Sequence, residues 1–250
     1  MSDRRELADG GFAHGARYNG ARPGYPRDAV DFFVTTFSLD ATSHVLDLGA
    51  GTGIFTRQLL GHVGRVTAVE PSVSMRASFE AETPGVEIRD GSDVAIPLGD
   101  DVVAAVFVAQ AFHWFDAPHA LLEIHRVLRP GGHLGLIWNE RDTQETWIRD
   151  LNHAMRWDVH FPYDPGVDYA AIVASGPFHD VTRRVFRHRE SLSHAHVVQR
   201  VLTTSYITLM GDDERAALLK DVGSVLVAMD DPIEMPYVTN VYAATANHDE

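Results

Sequence analysis

The segment Val45 to Gly53 (VLDLGAGTG) constrains the fold more than any other part of the chain. Val45, Leu46 and Leu48 run directly into a turn that holds Gly49, Gly51 and Gly53. A short apolar run bounded by glycine reads as a buried strand. The glycines let the backbone turn tightly and let a ligand come close to it. Residues 54–60 then read as a helix running to Gly61, and Arg65 to Val69 (RVTAV) as a second strand, which closes on Glu70, 21 residues after Gly49. An acid at that place can accept hydrogen bonds from a ribose diol, so the unit reads as a site for an adenosine-type nucleotide or nucleoside.

The surrounding sequence repeats the rhythm. A helix is expected over 28–37 with Asp28 as its cap, and another over 72–82 with Ser72 as its cap. Val86 to Ile88 reads as a short strand, and Val102 to Val108 (VVAAVFV) as a strand covered on both faces. Leu121, Ile124 and Leu128 mark a helix over 117–129, capped by Asp116 and stopped by Pro130-Gly131-Gly132; His133 to Trp138 is the next strand. Strands and helices in this alternation give an α/β fold, a Rossmann-like doubly wound and mostly parallel sheet. Beyond Asn139 the sequence reads as irregular or helical over 140–177, strand over 181–192, helical over 194–210 and 212–229, and strand over 235–245. The expectation is a single domain over residues 1–250. Residues 40–140 would form a cofactor-binding core and residues 1–39 an N-terminal lid and helix. Residues 141–250 would supply late strands and a helical substrate cap.

Composition narrows the chemistry. The chain has 35 acidic and 21 basic residues, a net charge of −14, which argues against a nucleic-acid partner. It has no cysteine, which removes disulfides, thiolate metal sites and thiol nucleophiles. Lys220 is the sole lysine, so there is no P-loop lysine and no Tyr-x-x-x-Lys dehydrogenase pair. The 14 histidines include no His-Glu-x-x-His, and His194-Ala-His196 has no obvious carboxylate partner, so no metal is expected. The first ten residues hold no apolar segment and no window approaches 18 uncharged apolar residues, so a cytoplasmic protein without a membrane partner is expected.

Two readings of the glycine turn compete. In the dinucleotide pattern G-x-G-x-x-G, Gly49 and Gly51 fit, but the third position falls on Ile54 and Gly53 comes one place early. Asp47 would repel a pyrophosphate and would suit a cationic ligand such as the ammonium and sulfonium of S-adenosylmethionine. At these residues the sequence resembles the class I S-adenosylmethionine-dependent methyltransferases, and the resemblance covers about residues 40–140. Asp90-Gly91-Ser92-Asp93 before Ile96-Pro97-Leu98 resembles their adenine-side loop. Val108 to Phe115 (VAQAFHWF) resembles the fourth-strand motif of the type-11 branch, and Leu128 to Gly132 the turn before the fifth strand. Tyr18 to Pro26 and the Ala-Phe-His-Trp run are similar to a trans-aconitate methyltransferase-like subgroup that acts on small molecules.

The resemblance implies roles. Gly49, Gly51 and Gly53 would line the methionine moiety with Asp47 near its ammonium, Glu70 would hold the ribose, and Gln110 would sit beside the cofactor. Ser92 and Asp93 would meet the adenine; many relatives carry Asp where Ser92 stands, so Asp93 is the candidate to take over that contact. On the acceptor side, Tyr18 and Arg22 are candidates for a lid, Trp114 and Trp138 for an aromatic mouth, and Asn139 and Tyr206 for further contacts. His113 is the candidate base or orienting group. The expected activity moves a methyl group from S-adenosylmethionine, leaving S-adenosylhomocysteine, to a small-molecule acceptor through a carboxyl or hydroxyl oxygen, in a monomer or homodimer. A nicotinamide-dependent oxidoreductase and a non-catalytic adenosyl-ligand-binding protein are the alternatives.

Overall fold

The computed structural model describes residues 22–160 and 167–247. Its strands are β1 (His44–Leu48), β2 (Arg65–Val69), β3 (Glu87–Arg89), β4 (Val103–Ala109), β5 (Leu128–Arg141), β6 (Phe178–Leu192) and β7 (Ile233–Ala246). They form one seven-stranded sheet in the order β3-β2-β1-β4-β5-β7-β6. The first five strands pair in parallel, with Asp47 beside both Ala68 and Phe107. β7 runs against its neighbours: Asn139 meets Thr239 and His133 meets Thr245, while Arg183 meets Asn240 and His179 meets Asn247.

The helices of the first half are α1 (Arg27–Thr36), α2 (Ile54–Leu59), α3 (Val73–Glu82) and α4 (Ala117–Val127). A strand buried on both faces sends alternate side chains to opposite layers. In β4, Val106 and Val108 join a core with Leu121, Ile124 and Val127 of α4. Phe107 points the other way, into a core with Ala29, Val30 and Phe33 of α1 and Phe55 and Leu59 of α2. Gly135 of β5 lies opposite Phe107 in the sheet. A Cβ at Gly135 would come within 2.7 Å of Phe107 and 2.8 Å of Phe33, so the absence of a side chain is what admits these rings. Gly135→Val should therefore lower unfolding stability by at least ~2 kcal/mol, read from urea denaturation.

By internal contacts the chain divides into two compact units. The core unit holds Gly24–Asn139, Asp168–Phe186 and Thr239–Glu250; the second unit holds Met1–Pro23, Glu140–Val167 and Arg187–Val238. The second unit carries α5 (Thr146–Ala154), α6 (Trp157–His160), α8 (His194–Leu202), α9 (Ser205–Thr208) and α10 (Asp212–Leu226), whereas α7 (Tyr169–Ala174) belongs to the core unit. Ile148, Leu151, Val197, Val201, Leu218 and Val222 build a separate apolar core within the second unit. Among the described residues no helix is long and apolar enough to cross a membrane.

Several boundaries differ from the sequence expectations for physical reasons. The helix expected over 117–129 ends at Val127, because Leu128 is drawn into the sheet opposite Val103. The Pro130-Gly131-Gly132 turn is then absorbed as a register shift, after which His133 lies opposite Ala105. The helix expected over 194–210 breaks at Thr203-Thr204, whose hydroxyls both donate to the Arg200 carbonyl, at 2.9 and 3.4 Å. Pro26, rather than Asp28, precedes α1, and Asp28 sits in the first turn, where its charge suits the helix dipole. Neither Ser72 nor Asp116 caps its helix with its side chain.

Candidate active site

Parallel pairing sets the carboxyl ends of β1, β2 and β4 side by side, the edge at which ligands bind in open α/β sheets. Asp47 lies at this edge and is fully buried. Its Oδ2 accepts a hydrogen bond from the Thr56 hydroxyl at 2.5 Å, while its Oδ1 has no partner among the described residues. Burial pushes the carboxyl up to about 7, opposed by the Thr56 hydrogen bond and reinforced by the charge of Glu70. The site thus contains a buried carboxylic acid with one oxygen left over. Thr56 was not singled out from sequence; its signal is a polar residue facing inward from the first turn of α2.

The glycine turn is pinned from below. The N–H groups of Gly49 and Ala50 both donate to the Val69 carbonyl, at 2.8 and 3.1 Å. Gly51 and Gly53 both have positive φ, +55° and +82°, but differ in surroundings. A Cβ at Gly53 would lie 2.7 Å from Thr83 Oγ1 and 2.8 Å from the Phe79 ring, so this glycine serves packing. A Cβ at Gly51 would meet nothing within 4 Å among the described residues.

Glu70 is nearly buried and accepts two backbone hydrogen bonds, from Gly51 N–H to Oε2 and from Ser72 N–H to Oε1, each at 2.9 Å. It ties the glycine turn to the start of α3. Arg76 donates to the Glu70 carbonyl at 2.7 Å and pairs with Asp90 at 2.8 Å, which joins β2 to the segment that follows β3.

Ser92 and Ala95 exchange backbone hydrogen bonds at 3.2 Å, forming a tight turn in which Asp93 is buried and Ser92 half-buried. Asp93 Oδ2 accepts the N–H of Asp116 at 2.8 Å. Asp93 therefore reaches the residue before α4, and Asp116 instead pairs with His119 at 3.1 Å. Gln110 follows β4 with φ +55°, an uncommon conformation for a residue with a side chain, and its Nε2 donates to the Asn139 carbonyl at 3.1 Å. His113 and Trp114 lie half-buried on the 3-10 turn Phe112–Trp114, with ring centroids 4.9 Å apart.

Trp138 and Asn139 are held by the structure around them. Trp138 is buried, stacked on Tyr169 at 4.4 Å and edge-on to Tyr242 at 5.8 Å. Asn139 Nδ2 donates to the Gly24 carbonyl at 2.8 Å, and its Oδ1 accepts from the Thr239 hydroxyl at 2.6 Å. One amide thereby joins the segment before α1 to β5 and β7. Thus Asp47, the three glycines, Glu70, Ser92, Asp93, Gln110, His113, Trp114, Trp138 and Asn139 all belong to the core unit.

Arg22 and Tyr206 belong to the second unit. Arg22 donates to the Thr203 carbonyl at 2.8 Å. The Tyr206 hydroxyl donates to the Met155 carbonyl at 2.7 Å, within the apolar core of that unit. Tyr18 lies outside the described residues. A recess of about 580 Å³ on the second unit, bordered by Asp150, His153 and Asp221, contains none of the candidate residues. Among the described residues no group of three or more His, Asp or Glu side chains could hold a metal ion.

Comparison with known proteins agrees with this arrangement. The family described as "Methyltransferase domain" matches residues 46–136. An uncharacterized methyltransferase of Mycobacterium tuberculosis is 36% identical over 240 residues, covering 94% of each chain. An uncharacterized methyltransferase-like protein of Schizosaccharomyces pombe is 44% identical over 138 residues, 55% of this chain and 54% of that one. In structure, a Haemonchus contortus phosphoethanolamine N-methyltransferase, solved with phosphomonomethylethanolamine and S-adenosylhomocysteine, superposes with TM-score 0.57 at 17% identity. That match covers 98% of this chain and 59% of that one, and the likeness is one of fold. With strand order, glycine turn and full-length likeness in agreement, the chain belongs to the class I S-adenosylmethionine-dependent methyltransferases, in their type-11 branch.

Proposed function

We propose that the chain moves a methyl group from S-adenosylmethionine to a small-molecule acceptor, at an oxygen of a carboxyl or hydroxyl group. The observation that carries the reading is the buried Asp47 Oδ1, which lacks a partner among the described residues and lies beside a glycine turn in which none of them crowds Gly51. A buried carboxylate of this kind is costly unless a cation meets it, and a ligand ammonium is such a cation. A dinucleotide would place phosphate charge there instead, which disfavours the nicotinamide alternative.

The other residues fit the same ligand. Glu70 Oε2 accepts the Gly51 N–H and Oε1 the Ser72 N–H, which holds the carboxylate at the turn as the candidate for the ribose hydroxyls. Ser92 and Asp93 are the candidates for the adenine edge, and Gln110 borders the end of β4. When bound, S-adenosylmethionine supplies a methyl group already activated on a positively charged sulfur. The chain's own part is to hold and align, worth roughly 7–11 kcal/mol of barrier in favourable cases. A carboxylate acceptor needs no base. A hydroxyl acceptor would pass its proton to His113, which stands on the turn directly after β4. The net charge of −14 supports a small acceptor over a nucleic acid.

Thermal denaturation in the presence of S-adenosylhomocysteine, S-adenosylmethionine and NADH tests the cofactor. At about 100 times the dissociation constant a ligand adds ~2.7 kcal/mol, a rise of about 5–11 °C for a chain of this size. The adenosyl ligands should give that rise and NADH none; a rise with NADH alone overturns the reading. Transfer of labelled methyl to a panel of small acids and alcohols tests the chemistry. Cofactor binding with no transfer to any of them would favour the non-catalytic alternative.

A further inference from the structure

Arg141 ends β5 and belongs to the second unit. Its guanidinium is surrounded by protein yet still reached by solvent. Nε donates to Asn152 Oδ1 at 2.7 Å, and the Trp157 ring lies against the guanidinium face, 4.6 Å from centroid to Cζ. These contacts fix the plane of the fork and occupy one edge and one face. The terminal nitrogens Nη1 and Nη2 have no hydrogen-bond partner among the described residues, and neither is sealed from solvent.

No carboxylate meets Arg141 among the described residues, although the chain has 35 acids to 21 bases. Other arginines of the same unit do find acids: Arg187 meets Asp142, Arg189 meets Glu145 and Arg200 meets Glu190. The titratable groups that act on Arg141 are instead the phenols of Tyr237 and Tyr206 and a second cation, Arg22. A guanidinium cannot shed its proton to escape the cost of enclosure. An enclosed cation without a counter-ion is costly, and a bound anion would offset that cost. A planar fork with two free N–H nitrogens matches a carboxylate bidentately.

We propose that Arg141 is an anion-binding residue of the second unit that takes the carboxylate of an organic acid through Nη1 and Nη2. The aromatic side chains around it, Trp157, Tyr206 and Tyr237, suit an organic acid with an apolar body over a small inorganic ion.

The test compares wild type with Arg141→Gln and Arg141→Met, first by thermal denaturation with S-adenosylhomocysteine present throughout. The probes are phenylacetate, succinate, phenylacetamide and inorganic phosphate at millimolar concentration. Wild type should be stabilised by at least one carboxylate and not by the neutral amide. Both variants should lose that response while keeping their response to S-adenosylhomocysteine. Without ligand, Arg141→Met should melt at or above the wild-type temperature, since an uncompensated charge has been removed. A fall in melting temperature with the carboxylate response intact would make Arg141 a structural residue and overturn the proposal. So would equal stabilisation by acid and amide, a response to phosphate alone, or no carboxylate response in wild type. Failure of S-adenosylhomocysteine itself to stabilise wild type would instead sink the methyltransfer reading.

Discussion

Asp47→Asn is expected to stabilise the ligand-free protein above neutrality and, in the same sample, to weaken its hold on S-adenosylhomocysteine. The carboxyl titrates near 7 in the fold against an ordinary 3.8, chiefly because it is buried. Between those values the folded chain keeps a proton that the unfolded chain has released. Stability therefore falls as pH rises through that window and levels off above it. The full loss is on the order of 4 kcal/mol, roughly 10 °C for a chain of this size. Asparagine cannot ionise, so its melting curve should match wild type at about pH 3.5 and lie well above it at about pH 8. Two curves that stay parallel over that range would refute the assignment. Binding should move oppositely. A ligand ammonium drives Asp47 to ionise, so wild-type affinity should rise by up to tenfold per pH unit until about 7 and then flatten. The variant should lose this slope and bind about 10–100-fold more weakly at about pH 8, measured by calorimetric titration.

Glu70→Ala should cost still more affinity. Two hydrogen bonds from ribose hydroxyls to a carboxylate are worth about 1.5–3 kcal/mol each, so the dissociation constant should rise by at least about a hundredfold. The same carboxylate holds the N–H groups of Gly51 and Ser72, so its removal also loosens the turn that receives the ligand. Urea denaturation separates the two effects. The fold should lose only about 1–3 kcal/mol, the cost of leaving these donors without an acceptor. Glu70→Gln, which keeps a single acceptor oxygen, should fall between wild type and alanine in affinity. A dissociation constant within about threefold of wild type for the alanine variant would remove Glu70 from the site.

The parts of this site that are legible in the sequence are those fixed by neighbours along the chain. Val45 to Gly53 declares a strand and a tight turn through its own residues, and Glu70 follows from where the next strand stops. What stayed hidden depends on partners supplied by the sheet. Asp116 reads as a helix cap, yet its N–H is taken by Asp93, 23 residues earlier, because the turn between β3 and β4 reaches the start of α4. Trp138 reads as a strand-end aromatic, and its stacking on Tyr169 depends on a helix with no local signal linking it to β5. The split environment of the two Asp47 oxygens depends on Thr56, nine residues on. Arg141 gave no signal at all, since enclosure without a counter-ion is a property of the folded surroundings.

The strand order has a consequence for synthesis. β7 is made after β6 but lies between β5 and β6 in the sheet. A nascent chain that has released β5 and β6 from the ribosome cannot join them, and both strands present unpaired edges until the later strand arrives to sit between them. Exposed edges of this kind recruit other chains. Production of this protein should therefore be sensitive to translation pauses between residues 192 and 233, the interval from the end of β6 to the start of β7.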